Sequence, residues 1–365
     1  MAQSGLTIYI DGRCLLRPRD GVGSYARTLL QNILAQDHKN TYIALGFADQ
    51  KNNPRLVEET AHFSYYFLPL PRKAYMGLFR LWQMPVDWLL PRTADVMWYP
   101  DFVCAPRIVA GKKIVTIHDL TYLQDASTVE RKNLRYLQRF AGQSARQAHA
   151  ITTVSHAMAQ EITTTYHPTA PVSVVYPAAP PETPGSPNTA KPYILFVGTL
   201  QPRKNVAALL KAYTLLPKEI RAQYRLVLAG RKGWKDTATQ QAMAATPHEW
   251  VDSPTDEELH ALYMGASLFV APSLREGFGI PPIEALACHV PVITSTDPAL
   301  IEGTGESALH VDVKNPQNLA SAMQNVLTNA ALRDQLASQR SKELAKLNGK
   351  NIAASFIELI TTLAA

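Results

Sequence analysis

Between Pro177 and Pro187 the chain places five prolines in eleven residues. That density excludes both a helix interior and a central strand, because each proline removes a backbone donor and locks one torsion. The stretch divides 365 residues near their midpoint, leaving two halves each long enough to bury a core of its own. It reads as a semi-rigid linker. The expected organisation is a first domain at 1–178, a proline-rich linker at 179–192 and a second domain at 193–348. A final helix at 349–365 is expected to cross back to the first domain.

Both halves alternate short apolar runs with helix-patterned segments. In the first, strands are predicted at 6–10, 41–47, 96–99, 113–117, 150–154 and 172–175, with helices at 22–36, 132–147 and 155–166. The second restarts with strands at 193–198, 224–229, 249–252, 268–271, 292–294 and 308–311. Helices are expected from about 205 and at 256–265, 280–288, 316–328, 331–347 and 350–363. Strand–helix alternation points to parallel, doubly wound α/β sheets. The simplest architecture is two Rossmann-like domains facing each other across a cleft.

Composition narrows the function classes. No apolar run approaches the ~18 residues of a membrane span, and the first ten residues lack the pattern of a signal peptide. Cys14, Cys104 and Cys288 are far apart and without metal-ligand spacing, so reduced thiols are expected and no zinc site. Residues 1–178 hold 19 Lys and Arg against 13 Asp and Glu, whereas residues 179–365 hold 17 of each. The whole surplus of +6 therefore belongs to the first half. Such a surplus suits an anionic membrane surface, a phosphorylated substrate or plain solubility. No nucleic-acid motif accompanies it, so no nucleic-acid partner is expected.

Five segments carry candidate chemistry. Glu276-Gly277-Phe278-Gly279-Ile280-Pro281-Pro282-Ile283-Glu284 follows an apolar strand and enters a helix through prolines. Prolines fit a first helical turn, where a missing N–H costs little. Amides at a helix start suit a phosphate, and carboxylates suit hydroxyl groups, a combination that a sugar nucleotide presents. Arg203 and Lys204 are adjacent cations before a helix, where the helix dipole disfavours them unless an anion docks. Gly21-Val22-Gly23 formally fits a dinucleotide loop, but residues 11–20 separate it from the first strand. A phosphate- or acceptor-facing helix start and a purely structural turn both stay open. His118 ends an apolar strand and either bonds a sugar hydroxyl or sits satisfied in a core; Asp119 either orients it or caps the next turn. Residues 72–84 mix cations with large apolar groups, fitting an interfacial membrane helix or a helix packed on its own domain.

Taken together, Gly21-Val22-Gly23, Ile117-His118-Asp119-Leu120, Gly198-Thr199 with Arg203-Lys204-Asn205, and Glu276 through Glu284 resemble the retaining glycosyltransferase family 4, of GT-B fold. The last segment is similar to that family's Glu-x7-Glu motif. The opening and the His-Asp-Leu segment look most like bacterial mannosyltransferases of surface-polysaccharide and lipopolysaccharide assembly. The resemblance implies that Arg203 and Lys204 bind a donor diphosphate and that Glu276 holds sugar hydroxyls. It places backbone at Gly277, Phe278, Gly279 and Ile280 near sugar and phosphate, and Glu284 on the ribose. His118 would face the reacting sugar, and Gly21 and Gly23 would lie near the diphosphate. The base would lie near Trp250-Val251-Asp252. Where relatives carry Leu-Pro-Glu, this chain has Asp297-Pro298-Ala299-Leu300-Ile301-Glu302, with Glu302 as the match.

The implied activity moves a hexose, mannose from GDP-mannose first and a UDP-sugar next, to a glycan or lipid-diphosphate-linked acceptor. No metal or other cofactor is expected: the two cations can do the work of Mg²⁺, and no Asp-x-Asp tripeptide occurs. In the family's fold the first domain handles the acceptor and the second the donor, in the cytoplasm or peripherally on the inner membrane face. Rival readings are a sugar-nucleotide epimerase, a catalytically silent sugar-nucleotide-binding partner and a dinucleotide oxidoreductase.

Overall fold

The structure, a computed structural model, describes residues 5–16, 20–75, 77, 85–105, 107–124, 131–186, 190–233 and 237–365. The chain divides into two compact units. Unit 1 contains β1 (Thr7–Asp11), α1 (Gly21–Leu34), β2 (Thr41–Phe47), β3 (Phe63–Leu68), α2 (Arg72–Tyr75), β4 (Val96–Tyr99) and β5 (Lys112–Ile117). After the short helix α3 (Thr121–Gln124), which groups with unit 2, it continues with α4 (Arg131–Gln147), β6 (Ala150–Thr153), α5 (His156–Tyr166) and β7 (Val172–Val174). Its sheet is wholly parallel, in the order β3-β2-β1-β4-β5-β6-β7. Ile8, Tyr9, Ile10, Ile114, Val115 and Ile117 are fully buried, as expected of strands covered on both faces.

Unit 2 contains β8 (Tyr193–Val197), α6 (Val206–Leu215), α7 (Lys218–Gln223), β9 (Arg225–Ala229), α8 (Thr237–Ala245), β10 (Glu249–Val251), α9 (Asp256–Gly265) and β11 (Leu268–Ala271). It ends with α10 (Ile280–Ala287), β12 (Val292–Ser295), α11 (Pro298–Thr304), β13 (Ala308–Val311), α12 (Pro316–Thr328) and α13 (Ala330–Lys346). The order β10-β9-β8-β11-β12-β13, again parallel, repeats the arrangement of unit 1. In both sheets the strand order reverses beside the first strand, between β1 and β4 and between β8 and β11. Open α/β sheets bind ligands at such switch points, beyond the carboxyl ends of the strands.

The last helix, α14 (Gly349–Ala364), belongs to unit 1, where Phe356 packs on Trp98 with ring centroids 5.0 Å apart. The proline-rich stretch does not hang between the units. The amide of Ala179 donates to Leu347 O at 2.9 Å, those of Thr183 and Gly185 donate to Ala287 and Cys288, and Glu182 pairs with His289 at 3.1 Å. Residues 179–186 are thereby fixed along unit 2, and the two chain crossings, at 178 and 348, lie side by side.

Two differences from the sequence expectation have physical causes. β3 was not foreseen, because this edge strand is half-exposed and is ordered by neighbours distant in sequence, with Tyr65 and Phe67 stacked and Arg55 lying over both rings. The short helices α7, α8 and α11 lack the long apolar stripe that marks a helix in sequence. Much of the suggested amphipathic helix at 72–84 lies outside the described residues, of which α2 is one turn. Among the described residues no helix is long and apolar enough to cross a membrane.

Candidate functional site

In unit 2 the switch point gathers the residues singled out in sequence. β8 ends at Val197, and Gly198 beyond it takes φ 155°, which side chains disfavour. The chain then makes one 3-10 turn, Pro202–Lys204, and breaks at Asn205, which takes φ 54° before α6 begins. Asparagine tolerates this left-handed conformation better than most residues. Arg203 and Lys204 therefore precede the helix instead of forming its first turn. Across the switch point, Glu276 sits on the loop after β11. Arg203 Nη1 donates to Glu276 Oε2 at 2.6 Å and to Arg275 O at 3.1 Å, and Lys204 Nζ donates to Glu276 Oε1. The amide of Leu274 returns a bond to Arg203 O at 2.7 Å.

Glu276 is only 8% exposed. Burial alone would push its carboxyl up, but Arg203 and Lys204, helped by the Ser273 hydroxyl, hold it down at about 2. It is thus ionised at any physiological pH. The cations predicted to need an anion receive one from the chain itself, and the triad still carries one net positive charge. Removing the carboxylate would leave two adjacent cations in a largely buried setting, so Glu276 is also what keeps them together.

The loop then turns through Gly277, Phe278 and Gly279. Gly279 takes φ 97°, and a Cβ there would stand 2.4 Å from Leu300, so only glycine fits. α10 begins at Ile280 with Pro281 and Pro282 in its first turn, as the sequence predicts. By position, the amides of Gly279 and Ile280 have no intrahelical acceptor, and the two prolines have none to offer. Glu284 lies one turn further and does not join the triad. Its Oε2 accepts the hydroxyl of Tyr263 at 2.8 Å, and Tyr263, 2% exposed, packs on Phe269. Near the expected base position, Lys232 lies over the Trp250 ring at 5.1 Å, and Trp250 Nε1 donates to Gly230 O.

Tyr263, Ser273 and Asp297 are residues that sequence reasoning missed. Asp297 caps α11 by accepting the amides of Ala299 and Leu300. Burial pushes its carboxyl up to about 6 against those amides, and the charge of Glu276 adds to the rise. The stretch that departs from the Leu-Pro-Glu pattern is therefore a capped helix start, with Glu302 inside α11.

Unit 1 assembles a different set. Asp20 caps α1, its Oδ1 accepting the amide of Gly23 at 2.7 Å. Gly21 and Gly23 lie in the first helical turn, not in a loop, and the Gly23 amide is already occupied. A Cβ at Gly23 would meet Cys14 O at 2.8 Å, whereas one at Gly21 meets nothing within 4 Å. Only Gly23 is required by packing. Tyr25, one turn on, meets the His118 ring edge-on at 5.0 Å, so the glycine-bearing turn and the histidine do come together.

His118 is buried at the carboxyl end of β5, with Nε2 2.8 Å from Pro100 O. A carbonyl only accepts, so Nε2 carries the proton and Nδ1 is the acceptor. Burial pulls the ring below its ordinary pKa, against the Pro100 carbonyl and the charges of Asp101, Asp119 and Asp20. The ring is neutral near pH 7, and the Pro100 carbonyl, not Asp119, orients it. Phe102 packs on it at 5.5 Å from a left-handed backbone, φ 56°, which is strained for a bulky residue. A second feature unnoticed in sequence is Asp11 paired with Arg13 at 2.5 Å after β1. The pair borders a cavity with Phe47, Tyr75, Tyr99 and Tyr136.

The family model "Glycosyltransferase Family 4" matches residues 19–183, and "Glycosyl transferases group 1" matches residues 183–343. O-antigen chain mannosyltransferase B of Escherichia coli is 32% identical over 243 residues, 62% of this chain and 63% of that protein. O-antigen chain mannosyltransferase RfbU of Salmonella typhimurium is 27% identical over 256 residues, 67% of this chain and 70% of that protein. Among solved structures, sucrose-phosphate synthase from Thermosynechococcus elongatus superposes with a TM-score of 0.73 at 18% identity, covering 98% of this chain and 99% of the other. That structural likeness speaks to the fold alone.

Proposed function

Since the chain belongs to glycosyltransferase family 4, a family of GT-B fold, we propose that it is a retaining hexosyltransferase acting in cell-surface polysaccharide synthesis. The proposed donor is GDP-mannose, a choice supported by the names of its relatives. The proposed acceptor is a glycan, free or carried on a lipid diphosphate. Unit 2 is the donor unit and unit 1 the acceptor unit in this reading, which is set on the cytoplasmic side.

The observation that carries the proposal is the triad Arg203–Glu276–Lys204 at the switch point of unit 2. Its net positive charge suits a diphosphate, and the buried carboxylate holds both cations in place before a donor arrives. Preorganised charge of this kind acts where negative charge develops, without reorganisation during the reaction. In the proposed step the bond from the sugar C1 to the diphosphate breaks and the acceptor oxygen attacks from the same face. The departing phosphate oxygen takes the acceptor proton, and Arg203 and Lys204 bear the new charge. Glu276, held near 2, is too weak a base for that proton; it serves as anchor and as acceptor for sugar hydroxyls. Glu284, steadied by Tyr263, would take the ribose hydroxyls. His118 would accept a hydroxyl of the reacting sugar through Nδ1. Activity is proposed to be independent of metal, so it should survive a chelator.

The test is a thermal-shift series with GDP-, UDP- and ADP-sugars, since a ligand of the folded state raises its stability by mass action. Transfer to a mannose-terminated glycan would follow, with the anomeric configuration of the product read by NMR. GDP-mannose should give the largest shift, and the product should keep the donor's configuration. An inverted product, or no shift with any sugar nucleotide, would overturn the proposal. With donor alone, slow hydrolysis is expected; a changed sugar would mark an epimerase.

A further inference from the structure

Most of unit 1 lies in the half that holds the surplus positive charge, yet its histidine is neutral and its largely buried Arg13 is matched by Asp11. The surplus must be spent elsewhere. At the amino ends of β4 and β5 two loops, 85–95 and 107–111, are clamped together. Asp87 Oδ2 accepts the amides of Val109 at 2.7 Å and Ala110 at 2.9 Å. Gly111, at φ 78°, allows the close approach, since a Cβ there would stand 2.2 Å from Ala94 O. Outside this clamp Trp88 is 65% and Val109 64% exposed, the highest values among the exposed large apolar side chains of the described residues. Leu89 and Ile108 lie half-buried beside them.

The polar residues of the same loops are one-sided. Arg92, Arg107 and Lys112 are exposed. Both acidic residues are engaged in amide bonds, Asp87 as described and Asp95 through Oδ2 to the amide of Thr7 at 2.7 Å. The two clamped loops therefore form a rim presenting a tryptophan and a valine together with three exposed cations. Tryptophan favours the membrane–water interface, where its ring is apolar and its N–H is wet. Lysine and arginine are drawn to anionic headgroups at the same depth.

We propose that this rim is a docking surface for an anionic lipid bilayer, with Trp88 and Val109 at headgroup depth and Arg92, Arg107 and Lys112 on lipid phosphates. The idea goes beyond the transferase reading and stands without it. His118 follows Lys112 by six residues of strand, about 20 Å along β5, so the rim can be altered without touching the residues of the candidate site.

The experiment is flotation of the full chain with vesicles of phosphatidylcholine, with and without phosphatidylglycerol, at low and high salt. Binding is expected only to the anionic vesicles and should fall as salt rises. Each of Arg92→Gln, Arg107→Gln and Lys112→Gln should lower the partition coefficient about fivefold, and Trp88→Ser about tenfold. Thermal melts confirm that the exposed substitutions leave the fold intact, and Val109→Ser gives a second apolar probe. Undiminished binding by the Trp88 and triple-glutamine variants would overturn the proposal, as would equal binding to neutral vesicles or binding to neither. An exposed rim that instead captures an acidic protein and no vesicle would also overturn it. The shift given by GDP-mannose, measured on the same variants, should be unchanged, so failure of the donor assignment and failure of the docking surface are read separately.

Discussion

Units 1 and 2 share one sheet order, yet they place opposite chemistry at the carboxyl ends of their strands. Unit 2 puts a buried carboxylate between two cations, all three ionised. Unit 1 puts a neutral histidine, oriented by a backbone carbonyl and packed on two aromatic rings. Net charge would have pointed the other way, because the basic half of the chain is the first. Where an anion can dock is decided by a few side chains that burial strengthens, not by the sum over a domain. Common topology supplies two sets of strand ends, and loop residues decide what each of them does.

The largest effect that could break this contrast is loss of a cation in unit 2. Arg203→Ala and Lys204→Ala should each lower kcat by ~10²–10³, measured by product formation at saturating donor. Near-normal turnover in both would remove the triad from the chemistry. In unit 1 the two glycines should separate in stability. Gly23→Ala forces a Cβ toward Cys14 O and should destabilise by about 1–3 kcal/mol, as overpacking does. Gly21→Ala, with open space around it, should be neutral or stabilising by up to about 1 kcal/mol. Urea unfolding checks both, and equal losses would mean that the glycine turn is shaped by something other than the Cys14 carbonyl.

Smaller effects sharpen the electrostatic side. His118 is held below its ordinary pKa, so its neutral form persists through pH 7 and protonates only in the acid range. Activity should fall on that acid limb, and His118→Gln should lose about tenfold at pH 7 and flatten the limb. An unchanged pH profile would deny His118 a hydroxyl-binding role. Asp297 and Glu276 should oppose each other in acid. Glu276 has its folded pKa depressed, so its stabilisation is complete above about pH 5 and is lost as pH falls toward 2. Asp297 has its pKa raised to about 6, so its ionisation costs stability as pH rises from 4 through 6. Asp297→Asn keeps a capping side chain and should raise stability at pH 7 by about 1 kcal/mol, partial exposure screening the rest, with little change at pH 4. The smallest expected effect is Tyr263→Phe, which removes the hydroxyl that donates to Glu284. It should raise KM for the donor about fivefold, one hydrogen bond's worth, with kcat nearly unchanged.

Much of the fold was legible because its signals are local. The runs at 41–47, 96–99 and 268–271 mark strands to the residue, since a parallel strand buried on both faces needs a nearly unbroken apolar run. Pro281 and Pro282 announced the start of α10 for an equally local reason. The edge strand β3 escaped because its aromatic side chains are ordered by Arg55 and by β2, neither of which its own residues imply. The candidate residues could be named from the sequence, but their pairing was not readable. Glu276 lies 73 residues from Arg203 and 72 from Lys204, and the hydroxyl that holds Glu284 comes from 21 residues away.

By itself the sequence determined two doubly wound halves, the strand-to-helix turns that carry Arg203, Lys204, Glu276 and Glu284, and the excess of positive charge in the first half. These follow from periodicity, turn chemistry and composition, which act within a few residues. Only the tertiary structure decided that Glu276 neutralises part of its own cation pair and that the Pro100 carbonyl sets the proton of His118. It also decided that Trp88 and Val109 share one exposed rim. Each of these depends on burial and on contacts between residues far apart in the chain, where a low dielectric turns a chance proximity into a fixed charge state.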